Sequence, residues 1–73
     1  MRELSSVETG NFVKVGKLVS HGFLRERMLA IGLTKDAEVQ VIQRGPSGDP
    51  TVYNIRGAMI ALRRDEASLV YVY

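Results

Sequence analysis

The sequence from Ala37 to Gly57 reads AEVQVIQRGPSGDPTVYNIRG, and this stretch decides the fold. Two β-prone runs, Glu38–Gln43 and Thr51–Arg56, flank a six-residue segment, Gly45–Pro50, that contains two glycines and two prolines. Glycine supplies positive φ, whereas proline fixes φ and donates no N–H, so neither residue favours the continuation of a strand. The pattern therefore predicts a β-hairpin whose loop is longer than the two-residue minimum.

Alternation within these two runs predicts which side chains face inward. Val39 and Val41 share one face of the first strand, and Tyr53 and Ile55 share one face of the second. We expect the two faces to form one buried surface, because a slip of one residue would turn every one of these side chains outward. A lone hairpin is marginal in water, so the remaining segments must cover this surface.

Further strands are predicted on both sides of the hairpin. Phe12–Val19 alternates weakly, and Gly16 in its middle indicates a bulge or bend. Met59–Leu62 predicts a short strand, 63–67 a single helical turn, and Leu69–Tyr73 a last β-branched and aromatic strand. The fold class is therefore mainly β, with about five short strands that close into a small barrel and one short α-helix between strands 1 and 2.

The helix is predicted within 20–33, where the hydrophobic period changes. Leu24, Met28 and Ile31 fall on one stripe of a helix, which we expect to pack on the sheet. Ser20 is a candidate N-cap, and Gly32 stands where a left-handed residue commonly ends a helix. A helix of about ten residues is too short to persist without that packing.

Length and composition narrow the function classes. The chain has 73 residues, 45% of them apolar, which indicates a single domain over residues 1–73. It has no cysteine, so disulfides and thiolate metal sites are excluded. No signal peptide or apolar run long enough to span a membrane is visible, which predicts a cytoplasmic protein. The net charge of +2 is too small to indicate nucleic-acid binding.

No pattern in the sequence predicts a catalytic, cofactor or metal site. The segment from Gly10 to Leu18 has five residues between its glycines, where a phosphate-binding loop has four, and Leu18 stands at the Ser/Thr position of that motif. His21 is the single histidine and has no predicted ligand partners. Asp65 and Glu66 are adjacent in sequence and so point in different directions on a helical turn. We therefore expect a binding protein and not an enzyme.

The cations are mostly arginines, seven of ten. Arginine favours planar and bidentate contacts at interfaces, so the arginines could meet an acidic patch on a partner protein. They could equally serve solubility and pair with the eight carboxylates of the chain. Both interpretations remain open at this point.

Six short motifs follow one another along the chain: Ala30-Ile31-Gly32-Leu33, Glu38-Val39-Gln40-Val41, Gly45-Pro46-Ser47-Gly48-Asp49-Pro50, Ile55-Arg56-Gly57, Ala61-Leu62-Arg63 and Glu66-Ala67. This order of motifs resembles the FeoA family over nearly the whole chain. The chain departs from the family at Lys35-Asp36, where Pro-Gly is common, and at Gly45, where alanine is common.

The resemblance implies an SH3-like β-barrel that serves as a small cytosolic accessory of bacterial ferrous-iron uptake. The implied partner is the membrane-embedded FeoB-type transporter, through its cytosolic GTPase region. The same barrel occurs as the C-terminal domain of DtxR-type metal-dependent repressors, so the alternative is a regulatory barrel that binds a peptide or linker segment. The family supplies no catalytic residues to carry over.

A partner surface is predicted on the outer face of the helix and on the hairpin loop. Leu29 lies about 100° or more from the apolar stripe, so it is a candidate exposed anchor beside a cation. Direct handling of Fe²⁺ is a further alternative, although it would need several converging hard ligands, and the oligomeric state stays open. The candidate partner-binding residues are Arg25, Arg27, Leu29, Pro46, Ser47 and Asp49.

Overall fold

The computed structural model describes residues 1–73, which form six strands and two helices. A 3₁₀ turn at Leu4–Ser6 precedes the second strand. The strands form one antiparallel sheet in the order β1-β6-β2-β3-β4-β5. The elements are β1 (Arg2–Glu3), β2 (Phe12–Leu18), α1 (Gly22–Ala30), β3 (Glu38–Arg44), β4 (Thr51–Ile55), β5 (Ala58–Leu62), α2 (Arg64–Ala67) and β6 (Val70–Val72).

Strand β2 belongs to both halves of the sheet. Its first half, Phe12–Lys14, pairs with β3, and its second half, Val15–Leu18, pairs with β6. The register shifts between Val15 and Lys17, which confirms the irregularity predicted at Gly16. Because a bulge bends the strand that carries it, β2 can turn from one half of the sheet to the other at this point.

The central hairpin and its register are confirmed. Val39 pairs with Ile55 and Val41 with Tyr53, and all four side chains are almost completely buried. Burial of these side chains removes apolar surface from water, which is the main stabilising contribution to a small fold. They form one cluster with eleven other apolar side chains: Leu4, Val7, Val13, Val15, Met28, Leu33, Ala37, Leu62, Ala67, Val70 and Val72.

Strands β4 and β5 are joined by the two-residue turn Arg56-Gly57. Both residues have positive φ, +52° and +88°, as a type I′ turn requires. The Asn54 side-chain oxygen accepts a hydrogen bond from the Gly57 N–H at 2.9 Å. The β4–β5 pairing then runs without a register shift through five residue pairs.

Helix α1 packs on the sheet through its predicted stripe. Met28 is buried, and Leu24 and Ile31 are half-buried against the core. Gly32 has a φ of +106°, which confirms the left-handed position after the helix. The expected N-cap is wrong: His21 occupies the cap position without a side-chain bond, while the Ser20 hydroxyl donates to the Met28 sulfur at 3.4 Å.

The mainly β class is confirmed, but the expected closed barrel of about five strands with the helix between strands 1 and 2 is wrong in detail. The short β1 adds a sixth strand, so α1 lies between the second and third strands. The sheet is open, with β1 and β5 at its two edges. Arg2 and Glu3 carry no β-propensity of their own, and their strand exists because they pair with Val72 and Tyr71.

Candidate functional site: a basic cleft beside the first helix

A cleft of about 230 Å³ lies between α1 and the second half of β2. Val15 and Leu33 are fully buried and form its apolar floor, Leu18 is half-buried, and Leu29 is 37% exposed. We call this site the basic cleft; its lining residues are Val15, Gly16, Lys17, Leu18, Arg25, Leu29, Leu33 and Lys35.

All three charged side chains of the basic cleft are cations: Lys17, Arg25 and Lys35. Arg25 Nη1 donates to the Leu18 carbonyl oxygen at 3.3 Å. The ammonium group of Lys17 lies 5.8 Å from the centroid of the Tyr71 ring, within the range of a cation–π contact. Since no carboxylate lines the cleft, its field attracts anionic groups.

The cleft follows from the way β2 is shared. Strand β3 pairs with Phe12–Lys14, and the residues just before it, Asp36 and Ala37, bond Val15, so no strand continues on this side of Lys17 and Leu18. Helix α1 takes that place, and its Arg25 reaches the Leu18 carbonyl that the sheet leaves free. A helix side chain can bond one carbonyl but cannot fill the length of a missing strand, which leaves a groove between the two elements.

Two predicted partner residues, Arg25 and Leu29, lie together in the basic cleft. The third helix residue, Arg27, is not part of it, because its guanidinium pairs with the Glu66 carboxylate of α2. The other oxygen of Glu66 accepts from the Arg63 N–H at 2.9 Å. That backbone bond, together with the guanidinium of Arg27, holds the pKa of the Glu66 carboxyl below its ordinary value.

The depressed pKa of Glu66 makes stability depend on pH. Because the folded pKa is lowered, the carboxylate stabilises the fold fully above the unfolded pKa of about 4.3, and this contribution is lost as pH falls through the lower folded pKa. We expect Glu66→Gln to be less stable than the wild type at pH 7 by about 1 kcal/mol or less, and equally stable at pH 2. Thermal melts of both proteins from pH 2 to 7 measure this difference in stability.

Asp65→Asn is the matched control, because it changes a neighbouring carboxylate that is exposed. A loss of stability with the same pH dependence in Asp65→Asn would contradict the assignment to Glu66.

The predicted loop residues lie elsewhere. Pro46 and Ser47 are exposed, and the Ser47 hydroxyl donates to the Asp49 carbonyl at 3.2 Å. Asp49 Oδ1 accepts from the Arg64 N–H at 2.9 Å, so this carboxylate holds the loop to the start of α2. The structure thus does not bring the loop residues into the basic cleft, although α2 contacts both the loop and Arg27.

A larger cleft of about 340 Å³ lies on the outer side of the sheet. Its charges are mixed, since Asp36 and Glu38 face it together with Arg56. Arg56 is already engaged by the Gly32 carbonyl and the Thr34 hydroxyl. The basic cleft is the better candidate site because its charges share one sign and it joins an apolar floor to two predicted residues.

Sequence reasoning missed three features of this region. Lys17 and Lys35 do not stand out in the sequence, because only the fold brings a strand residue and a turn residue beside the helix. Phe23 on α1 is 93% exposed. The sequence does not reveal this exposure, because neither the position of Phe23 outside the apolar stripe nor its aromatic side chain distinguishes it from a buried residue.

No group of three or more His, Cys, Asp or Glu residues is placed to hold a metal ion. Neither helix has the length and apolar character needed to cross a bilayer.

Comparison with known proteins gives the same family as the motif order. The FeoA domain family matches residues 2–73. A curated relative, the Fe(2+) transport protein A/Fe(2+) transporter FeoB fusion protein of Porphyromonas gingivalis (strain ATCC BAA-308 / W83), is 30% identical over 69 residues. That match covers 94% of this chain but spans only 8% of the relative's length.

Solved structures share the fold closely. The FeoA protein from Chlorobium tepidum is 30% identical with a TM-score of 0.91, and the match covers 97% of this chain and 68% of that one. The FeoA of Stenotrophomonas maltophilia complexed with zinc, described as a procaryotic SH3 domain protein, is 25% identical with a TM-score of 0.90, covering 100% and 91%. A manganese-dependent transcriptional repressor at 19% identity and a TM-score of 0.87 shares the fold alone, over 99% of this chain and 40% of the repressor. With the whole of residues 2–73 matched and an SH3-like sheet in common, this chain belongs to the FeoA family.

Proposed function

We propose that this chain is an accessory protein of ferrous iron transport that docks on the cytosolic region of an FeoB-type transporter through the basic cleft. The observation that carries the proposal is the Porphyromonas gingivalis relative, in which an FeoA-like part and an FeoB transporter are fused in one chain. Fusion gives two binding modules a high effective concentration for each other, so parts that work together gain from it.

The chemistry of the basic cleft specifies what the transporter must present. An apolar floor with Leu29 at its side accepts an apolar side chain, and three cations favour acidic residues around it. Charge complementarity of this kind chiefly raises the association rate and weakens with salt. The proposed role is therefore binding, with the helix and β2 supplying the surface.

Leu29→Glu tests the docking surface. We expect the dissociation constant for the purified cytosolic region of the transporter to rise at least about tenfold, because the change removes an apolar contact and buries a carboxylate. The melting temperature should fall only modestly, since Leu29 is 37% exposed and lies outside the buried core cluster. Isothermal titration calorimetry and a thermal melt give both quantities.

Phe23→Glu is the matched control. It places the same charge on the same helix at a residue that is 93% exposed and outside the basic cleft. We expect this variant to bind as the wild type does. Loss of binding in Phe23→Glu with normal binding in Leu29→Glu would overturn the basic cleft as the docking surface. Unfolding of Leu29→Glu would instead make Leu29 a core residue, in which case Arg25→Glu would test the same cleft through its charge.

A further inference from the structure

The outer edge of β5 carries backbone groups without a partner. The two-residue turn makes Ile55 and Ala58 a hydrogen-bonded pair, so the next such pair joins Tyr53 to Ile60. Met59 and Ala61 alternate with these residues and therefore direct their N–H and C=O groups away from β4. No backbone bond outside the helices and strands and no side-chain bond involves either residue.

This edge lacks the features that usually protect an edge strand. β5 reads Ala-Met-Ile-Ala-Leu, with no charged residue and no proline, and its pairing with β4 has no bulge. Met59 is 61% exposed. By contrast, the other edge strand, β1, is only two residues long and consists of an arginine and a glutamate. A regular, apolar edge of five residues is a template for another strand.

The charges at the ends of β5 indicate what kind of strand fits. Arg56 precedes the strand at its turn, where its two side-chain bonds go to neutral oxygens and leave its charge unpaired by them, and Arg63 and Arg64 follow the strand. Two nearby carboxylates are already engaged, since Glu66 and Asp49 accept from the N–H groups of Arg63 and Arg64. In an antiparallel copy of β5 centred on Ile60, the Arg56 turn of each copy would lie near the Arg63 and Arg64 end of the other, twice in the dimer. Cations brought together in this way repel one another, so this self-pairing is disfavoured and a strand with acidic ends is favoured.

We propose that the β5 edge receives an extended segment of another protein as a seventh, antiparallel strand, with a short apolar centre and acidic residues at both ends. Met59 and Ala61 together offer two N–H and two C=O groups to that segment. The main-chain bonds give affinity, and the arginines at the two ends select the acidic flanks. This surface is separate from the basic cleft, so the inference goes beyond the proposed function.

A synthetic peptide pair tests the proposal without the transporter. The probe has Val-Thr-Val-Thr-Val at its centre and two glutamates at each end, and the control has lysines in place of the glutamates. At saturating probe we expect the amide hydrogen exchange of Met59 and Ala61 to slow at least about tenfold, while that of Ile60, already bonded to β4, changes little. The lysine peptide should bind at least about tenfold more weakly in an NMR titration.

A variant removes one of the edge donors. Ala61→Pro deletes the outward N–H without touching the β4 ladder, and Ala61→Val keeps it. We expect the probe to bind Ala61→Val and not Ala61→Pro; if Ala61→Pro does not fold, the exchange of the wild-type amides decides. Equal affinity for the two peptides, or no protection of Met59 and Ala61 at saturation, would overturn the proposal. Protection that rises with protein concentration alone, with a dimer in sedimentation equilibrium, would overturn it in favour of a second copy.

Discussion

Replacing Met28 with alanine is expected to lower the free energy of unfolding by about 2–5 kcal/mol, the range for removing a long apolar side chain from a core. Met28 is the one fully buried residue of α1, at 1% exposure, and its sulfur accepts the bond from Ser20. A chain of this size has a total stability of only about 4–11 kcal/mol. The variant should therefore lose a large share of its stability, as measured by urea denaturation.

The effect on α1 should extend to binding. Nine residues are too few for a helix to persist in water, so α1 without its anchor should release Arg25 and Leu29 from the basic cleft. Met28→Leu is the matched control, because it keeps the volume and should cost less than about 1.5 kcal/mol. A Met28→Ala protein no less stable than Met28→Leu would show that the partly buried Leu24 and Ile31 hold the helix without Met28.

Gly32→Ala is expected to destabilise the fold by about 1–3 kcal/mol through backbone strain, with an added cost from contacts. The φ of Gly32 is +106°, which side chains of L-residues rarely adopt. A Cβ there would lie 2.9 Å from Arg56 Cδ and 3.3 Å from Ile55 Cγ2. Ile55 is fully buried, and Arg56 is held by its bonds to the Gly32 carbonyl and the Thr34 hydroxyl, so neither can move freely.

Gly57→Ala separates the two causes. Its φ is +88°, and a Cβ at that position meets nothing within 4 Å, so this variant carries strain alone. The difference in unfolding free energy between the two variants, from urea denaturation of both, measures the cost of the contacts with Ile55 and Arg56. An equal loss in both would contradict the close contact at Gly32.

The parts of the fold that depend on local patterns could be predicted from the sequence. Alternating apolar residues fixed the register of Val39 and Val41 against Ile55 and Tyr53, because the wrong register would have exposed them all. The strand β1 could not be predicted, since its only cause is pairing with β6, far along the chain. The cap was wrong because the helix begins at Gly22, which puts His21 at the cap position and Ser20 one residue before it, where its hydroxyl donates to the Met28 sulfur.

The candidate site was predictable only in part. Helical geometry placed Arg25 and Leu29 away from the core stripe, which is where the structure has them. It could not show that Arg27, one turn away, would meet Glu66 on a second helix, nor that Asp49 would bond the backbone of that helix. Lys17 and Lys35 join the site through tertiary structure, and no spacing in the sequence relates them.

The position of β6 inside the sheet, between β1 and β2, has a consequence for biosynthesis. This strand is translated after the other five, yet it is the neighbour of both β1 and β2 in the sheet. While the ribosome is still extending the chain, Leu4 and Val7 have no finished core to enter, although both end fully buried. We therefore expect the nascent chain to stay incompletely folded until Val70–Val72 emerges, and refolding to show the slow rates of proteins dominated by sequence-distant contacts.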